Sequence, residues 1–379
     1  MDKKVLFLSP GPQKRLVEEF KDREVECDVI APNDLICFLS NVDGRDRLYL
    51  KGDDEKNQRI KAKDYFAVVP RISGLSFDYG KMIVKHLSEN MGIFTTASEF
   101  GLNLCSSKFE TCQHLSKYKI RVPKQLLAHN LTDFKEAIEL VGNFPVILKL
   151  QKGSQGAGVF LLKDETEASQ TLRALKYSGL DLVLSQKLDS GKPANDLRII
   201  VIGALTDNPK FVAYKRFALD SEFRSNYSLS HSGEKVTLTE EEREMALKSA
   251  IALKMNLAGV DIMRNEPEKD KPYLIEVNGN FGLAGVEAVT GENVAGMIAD
   301  FVLENYKKGN TFLNKFTPDD TEIKLIEVQA SIALRNIEEC NLYGNRTDLY
   351  KKNFKAQELI KSIIQKSKRM FSDEIGKTN

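Results

Sequence analysis

The sequence predicts an α/β amino-terminal region built on a parallel sheet, an α+β region of short paired strands after it, and a helical extension at the end. Two observations carry this reading. Apolar strand runs alternate with charged helical stretches over the first hundred residues, which is the pattern of βαβ units. From about Ser106 onward, short β-branched runs are separated by glycine turns and by single helices.

Val5 to Leu8 is a continuous apolar run closed by Ser9-Pro10-Gly11, as expected of a buried strand. Leu16 to Phe20 sits in a helical stretch, and Val29-Ile30 and Tyr65 to Val69 are further strands. Gly80 to Leu87 reads as helix, and the polar stretch Asp43 to Lys63 as a surface loop or hairpin. Ser106 is the expected N-cap of a helix running to about Lys119. Strands follow at Val146 to Leu150, Val159 to Leu162 and Leu182 to Gln186, with a helix over Asp164 to Tyr177 and a turn at Ser190-Gly191-Lys192-Pro193. Leu197 to Ile202 and Phe211 to Phe217 read as strands. Thr239 with Glu242 forms a capping box for a helix to Met255. Gly259 to Met263 and Leu274 to Val277 are short strands carrying one acid each, and a helix covers Asn293 to Tyr306.

Composition excludes several classes. The chain has 379 residues, 42% hydrophobic and 29% charged, with a net charge of +1, so no global field points to nucleic acid. Cys27, Cys37, Cys105, Cys112 and Cys340 are scattered without a CxxC pair, which argues against a zinc site or a disulfide framework and for reduced thiols in a cytoplasmic protein. No apolar run reaches the roughly 20 residues of a membrane span. The run after Met1 stops at Pro10, so it reads as a first strand and not as a secretory segment.

Three features carry chemistry. Lys149 at a strand end precedes Gly153-Ser154-Gln155-Gly156-Ala157-Gly158. Glycines let backbone N–H groups approach a polyphosphate, and the lysine adds a point charge. A glycine turn in a hairpin gives the same pattern. The second feature is Asp261, Glu276 and Asn278. Carboxylates in apolar strands are costly unless paired or bound to metal. Glu276 and Asn278, at i and i+2, share one face, and an oxygen-only set suits Mg²⁺. The third is a line of cations, Arg198, Lys215, Arg216 and Arg224, which could converge on phosphate or carboxylate oxygens or lie as solvated surface charges.

In their order along residues 1 to about 308, these features resemble the RimK-type amino-acid ligases of the ATP-grasp superfamily. The resemblance rests on Phe144-Pro145-Val146-Ile147-Leu148-Lys149, the Gly153 to Gly158 loop, Asp196-Leu197-Arg198, Phe223-Arg224-Ser225-Asn226, Ala258-Gly259-Val260-Asp261-Ile262 and Ile275-Glu276-Val277-Asn278, with Val69-Pro70-Arg71-Ile72 in the amino-terminal region. It implies a parallel-sheet pre-ATP-grasp domain over 1–104, then the two-subdomain ATP-grasp fold over 105–309, with a small lid at about 122–187 and a catalytic part at about 188–309. A helical extension covers 310–379.

The resemblance also implies residue roles. Lys108 and Lys149 match phosphate-binding lysines, with Ser154, Gln155, Gly156 and Gly158 in a flap over the phosphates. Gln186, Lys187 and Leu188 match the adenine-holding hinge. Arg198 joins the ATP contacts. Asp261, Glu276 and Asn278 match Mg²⁺ ligands, with Mn²⁺ as an alternative cation. Arg216, Arg224 and Asn226 match groups at the reacting phosphoryl and acceptor. The implied reaction joins a carboxylate to an amine through an acyl phosphate, with an amino acid and a peptide or protein as partners. It needs positioning and charge stabilisation more than a covalent nucleophile. A homo-oligomer is expected, DNA and a membrane span are not.

Two segments depart from the pattern. Asn226 is followed by Tyr227-Ser228-Leu229-Ser230-His231-Ser232-Gly233 where the family has Leu-His-Arg-Gly-Gly, and Asn278 by Gly279-Asn280-Phe281-Gly282 where it has Ala-Ser-Pro-Gly. Both fall where acceptor or amino acid should sit, so ATP use is kept while glutamate specificity does not follow from the motifs. In the extension, residues 351–369 hold seven Lys/Arg and one Glu beside Phe354, Ile360, Ile363, Ile364 and Phe371. That segment could dock a partner, clamp a peptide, lie on a membrane surface, or pack on the core or a second subunit. Competing functions are a ligase of small-molecule or natural-product substrates and a nucleotide-dependent binding protein.

Overall fold

Strands β1 (Lys4–Leu8), β2 (Cys27–Ile30), β6 (Tyr65–Pro70) and β7 (Phe94–Thr95) pair in parallel in the order β2-β1-β6-β7. The computed structural model describes residues 3–39, 47–51, 58–129, 134–151, 158–175, 180–219 and 232–307. Ser154, Gln155, Gly156, Arg224 and Asn226 lie outside the described residues, as does the 310–379 extension. The β1 and β6 runs are apolar without alternation because helices cover the sheet, as parallel sheets require. Helix α1 (Lys14–Lys21) buries Leu16 and Phe20, and Phe20 meets Phe7 edge to face at 5.6 Å. Helix α2 (Phe77–Lys85) continues into a π turn at His86–Asn90.

The described strands of the polar stretch expected as a loop or hairpin pair antiparallel, and a strand before the stretch joins them in a small sheet. Strands β3 (Leu35–Phe38), β4 (Arg47–Leu50) and β5 (Gln58–Ile60) pair in order, and Leu35 and Leu48 are its fully buried pins. Helix α3 (Glu99–Cys105), which was not among the expected helices, is capped by Ser98, whose hydroxyl accepts from Gly101 N at 3.0 Å. It leads to α4 (Lys108–Ser116), which is capped by Ser107 and not Ser106: the Ser107 hydroxyl accepts from Glu110 N at 3.4 Å.

A second, four-stranded antiparallel sheet runs β10 (Val159–Leu162), β9 (Val146–Leu150), β11 (Leu182–Gln186), β8 (Gln125–Ala128). Helices α5 (Lys135–Val141) and α6 (Glu165–Leu175) cover one face, with Ile138, Val141, Val146, Leu148 and Leu172 in a core of their own. Gly158 has φ +74°, and a Cβ there would sit 2.7 Å from Leu150, so this return into β10 needs glycine.

The third sheet is antiparallel, in the order β14 (Gly233–Lys235), β13 (Lys210–Phe217), β12 (Asn195–Ile202), β15 (Leu257–Asn265), β16 (Lys271–Asn278). Helix α7 (Glu240–Ala252) starts on the expected Thr239–Glu242 capping box. Helices α8 (Ala284–Thr290) and α9 (Val294–Lys307) follow β16. Ile200, Ile202 and Val212 share one core with Phe7, Phe20, Ile298 and Phe301, so the parallel and five-stranded sheets are packed through α9. The architecture is an amino-terminal parallel sheet followed by the two antiparallel sheets of an ATP-grasp fold.

Buried charge reinforces that joint. Glu19 accepts from Arg23 at 2.6 Å and from Asn293 at 2.9 Å, and it pairs with Arg15. Arg23 reaches on to Asp300 at 2.7 Å. Burial works to raise the Glu19 carboxyl, but these donors outweigh it and hold it at about 2, against an ordinary 4.5. A lowered carboxyl stabilises the fold above about pH 4.5 and loses that contribution as pH falls toward 2. Glu19→Gln is therefore expected to cost about 3 kcal/mol at pH 7, with most of the difference gone by pH 3. Urea unfolding of both proteins at the two pH values measures it.

Candidate active site

The two antiparallel sheets face each other across a cavity of about 580 Å³. Ile147, Lys149 and Ser185 line it from the four-stranded sheet. Asp196, Asp261, Met263, Ile275, Glu276 and Asn278 line it from the five-stranded one. Lys108, the first residue of α4, brings Nζ to the Leu150 carbonyl at 3.3 Å, beside β9. The Lys149 ammonium makes no hydrogen bond among the described residues. Burial lowers the pKa of both lysines, and Glu276 acts the other way on each. Two half-stripped ammonium groups on one wall are a site for anionic oxygens.

Gln186, Lys187 and Leu188 form the far edge, where β11 leaves its sheet. Gln186 N donates to Lys124 O at 2.8 Å, and Lys124 N to Gln186 Oε1 at 3.3 Å. Met263 and Ile275 supply apolar surface there that sequence reading did not single out. Apolar surface beside a strand end suits a purine.

On the opposite wall, register brings the acids together. Asp261 on β15 stands directly across from Glu276 on β16, and Asn278 Nδ2 donates to Glu276 Oε1 at 2.9 Å. Burial raises the Glu276 carboxyl and the neighbouring Asp261 raises it further. Burial also works to raise Asp261, but Arg198 and Arg216 overcome it and hold Asp261 at about 2. A buried carboxylate and a half-buried one in like-charge contact call for a cation. Two carboxylates and an amide form an oxygen donor set that fits Mg²⁺. Each Asp261 oxygen already accepts from a guanidinium, yet carries a second lone pair for a metal. No third His, Cys, Asp or Glu joins this cluster among the described residues.

The predicted cations divide. Arg198 faces Asp261 across β12 and β15 and binds both carboxylate oxygens, one at 2.7 Å. Arg216 faces Asp196 across β12 and β13, holds it bidentately at 2.7 and 2.6 Å, and reaches Asp261 at 2.9 Å. Burial works against the Arg216 charge, and Asp196 and then Asp261 outweigh it, so the cation is held well above its ordinary range. Lys215 points to the other face and lies 3.8 Å from Glu234, away from the site. The result is a buried chain of alternating charge, Asp196–Arg216–Asp261–Arg198, along one strand face. Asp196 was missed as a site residue. Its signal was its i, i+2 relation to Arg198 in a strand of otherwise apolar residues.

Among the described residues no helix is long and apolar enough to cross a membrane. Residues 105–302 match the RimK-like ATP-grasp domain. A probable alpha-L-glutamate ligase of Halorhodospira halophila is 32% identical over 298 residues, covering 79% of this chain and 93% of that protein. One from Vibrio parahaemolyticus is 32% identical over 293 residues, covering 77% and 91%. The ATP-grasp ligase PsnB, solved with a minimal precursor, Mg and ADP, shares the fold with a TM-score of 0.60 at 15% identity, over 80% of this chain and 98% of that one. On this match through most of its length, the chain belongs to the RimK-like ATP-grasp family and is a carboxylate–amine ligase.

Proposed function

We propose that this ligase uses ATP and Mg²⁺ to activate a carboxylate as an acyl phosphate and joins it to the amine of a glutamate-like amino acid, with a peptide or protein as the other partner. The observation that carries the reading is the cavity with two lysines on one wall and Asp261, Glu276 and Asn278 on the other. The glutamate ligases among the relatives support the amino acid, and the precursor held by PsnB supports a peptide. The four described cysteines are free, which suits a cytoplasmic setting.

Lys108 and Lys149 bind phosphate oxygens, and the Gln186–Leu188 edge holds adenine against Met263 and Ile275. Asp261, Glu276 and Asn278 hold the cation. Mg²⁺, when bound, neutralises the phosphate oxygens. A substrate carboxylate oxygen then attacks the γ-phosphorus as ADP leaves. The amine attacks the activated carbonyl carbon, loses its proton, and expels phosphate. Arg216 and Arg198, fixed by Asp196 and Asp261, keep positive charge beneath the transferring group. Gly158 and the neighbouring Ser154, Gln155 and Gly156 serve as a cover that excludes water, and Arg224 and Asn226 serve the acceptor.

The test is phosphate release from ATP against a panel of amino acids, with and without peptides, followed by intact mass. One phosphate per amide formed is expected, and phosphate release without any new amide would sink the reading. Lys149→Met is expected to lower kcat/KM for ATP by about 10²- to 10³-fold, read in the same assay.

A further inference from the structure

Arg71 follows the last residue of β6, at the carboxyl end of the parallel sheet. Ligands of such sheets bind at the carboxyl ends of the strands, where neighbouring strands send their connections to opposite sides. The order β2-β1-β6-β7 places that point between β1 and β6. Arg71 N donates to Leu8 O there at 2.9 Å, which ties the two strand ends together.

The guanidinium has neutral partners. Nη2 donates to Phe281 O at 2.7 Å and Nε to Gln13 Oε1 at 3.2 Å, and the group lies 5.6 Å from the Phe281 ring centroid. No carboxylate stands within 4.0 Å of it among the described residues. The contrast with other arginines of the fold is sharp, since Arg198, Arg216, Arg264 and Arg23 each hold a carboxylate. Burial without an anion lowers the Arg71 pKa to about 10. A cation taken from water is costly unless a counter-charge meets it.

The surroundings leave room for one. A Cβ built on Gly11 or on Gly282 would meet nothing within 4 Å, so space is open at both segments that flank Arg71. The next residues, Ile72, Ser73 and Gly74, line the ATP-facing cavity, as do Gly279 and Asn280. The Asn280 amide donates to Ile72 O at 3.3 Å and closes the wall between them. Phe281 lies three residues beyond Asn278 in the chain. Arg71 thus stands behind the cavity wall that Ile72, Gly279 and Asn280 form, next in the chain to a lining residue and bonded to Phe281, the residue after Asn280.

We infer that Arg71 anchors a carboxylate of the amino-acid substrate that takes no part in the new bond, and so selects a substrate with a carboxylate to spare. This rests on the proposed ligase reading, in which the amine comes from a glutamate-like molecule. The anchor supplies the anion that Arg71 lacks and leaves the amine free to turn toward the acids.

The test combines binding and turnover on the full-length protein. Calorimetric titration with L-glutamate, L-glutamine and L-isoglutamine, in the presence of MgADP, compares wild type with Arg71→Gln and Arg71→Lys. Wild type is expected to bind glutamate and to lose roughly 10- to 100-fold in affinity when one of the two carboxylates is an amide. Arg71→Gln is expected to bind that amide and glutamate alike, with Arg71→Lys in between. In phosphate release the variant's KM for glutamate rises by the same factor, while kcat and the KM for ATP stay near wild type. Equal glutamate affinity in wild type and Arg71→Gln, no glutamate binding by wild type, or an equal loss for all three ligands would each overturn the anchor, the last leaving Arg71 as a clamp on Phe281. Selective binding without phosphate release would keep the anchor and sink the ligase reading instead.

Discussion

Glu276→Gln is expected to remove amino-acid-dependent phosphate release by about 10³-fold or more while leaving the thermal midpoint at or above wild type. The two halves of this expectation have one physical source. Glu276 is half-buried in contact with Asp261, and both desolvation and that neighbour push its carboxyl up. In the metal-free protein its charge therefore opposes folding, and the amide relieves that cost. What the amide cannot do is supply the anionic oxygen that the cation needs. Asp261→Asn should behave differently, because Asp261 also holds Arg198 and Arg216 and its loss leaves both without that carboxylate. Calorimetric midpoints with and without MgADP separate the cases. Wild type gains stability from the ligand by mass action, Glu276→Gln keeps its midpoint but loses most of that gain, and Asp261→Asn falls in both. A Glu276→Gln enzyme with normal turnover would remove the cation from this site.

Much of this arrangement was legible in the sequence, for reasons that differ by residue. Val5–Leu8 and Tyr65–Val69 announce themselves because a strand covered on both faces has no polar alternation. Asp261 and Glu276 stand out because a carboxylate between apolar residues needs a partner. Thr239 and Glu242 fix a helix start through two local hydrogen bonds, a signal contained within four residues. The missed features depend on distant residues. Helix α3 has a local cap at Ser98, but its packing is set by Gly101, where a Cβ would lie 2.1 Å from Leu253 O, a constraint no local window contains. The capping choice between Ser106 and Ser107 turns on backbone geometry, since both have the right side chain. Arg216 was legible as a cation, but its partner was not. Asp196 lies 20 residues away, and only the β12–β13 register sets the two opposite each other. The same holds for Arg71, whose lack of a counter-charge becomes visible only once every neighbour is in place.

Arg216→Met is expected to cost about 3–5 kcal/mol of stability, and adding Asp196→Asn is expected to return most of it without restoring activity. The chain Asp196–Arg216–Asp261–Arg198 is neutral as a set of two acids and two guanidiniums. Removing Arg216 leaves two buried carboxylates to share Arg198, and Asp196 loses both of its hydrogen bonds. Removing Asp196 as well leaves Asp261 with Arg198, a pair already bidentate and neutral. The stability of the double variant should therefore lie well above the sum of the single losses, with a coupling energy of about 2–3 kcal/mol in urea unfolding. Activity should follow a different rule. The Arg216 guanidinium is missing from beneath the transferring group in both variants, with Arg198 alone left there, so phosphate release should stay about 10²- to 10³-fold down in each. If the double variant were as unstable as the two losses added together, Asp196 and Arg216 would be energetically uncoupled. Asp196 would then serve the fold without positioning Arg216.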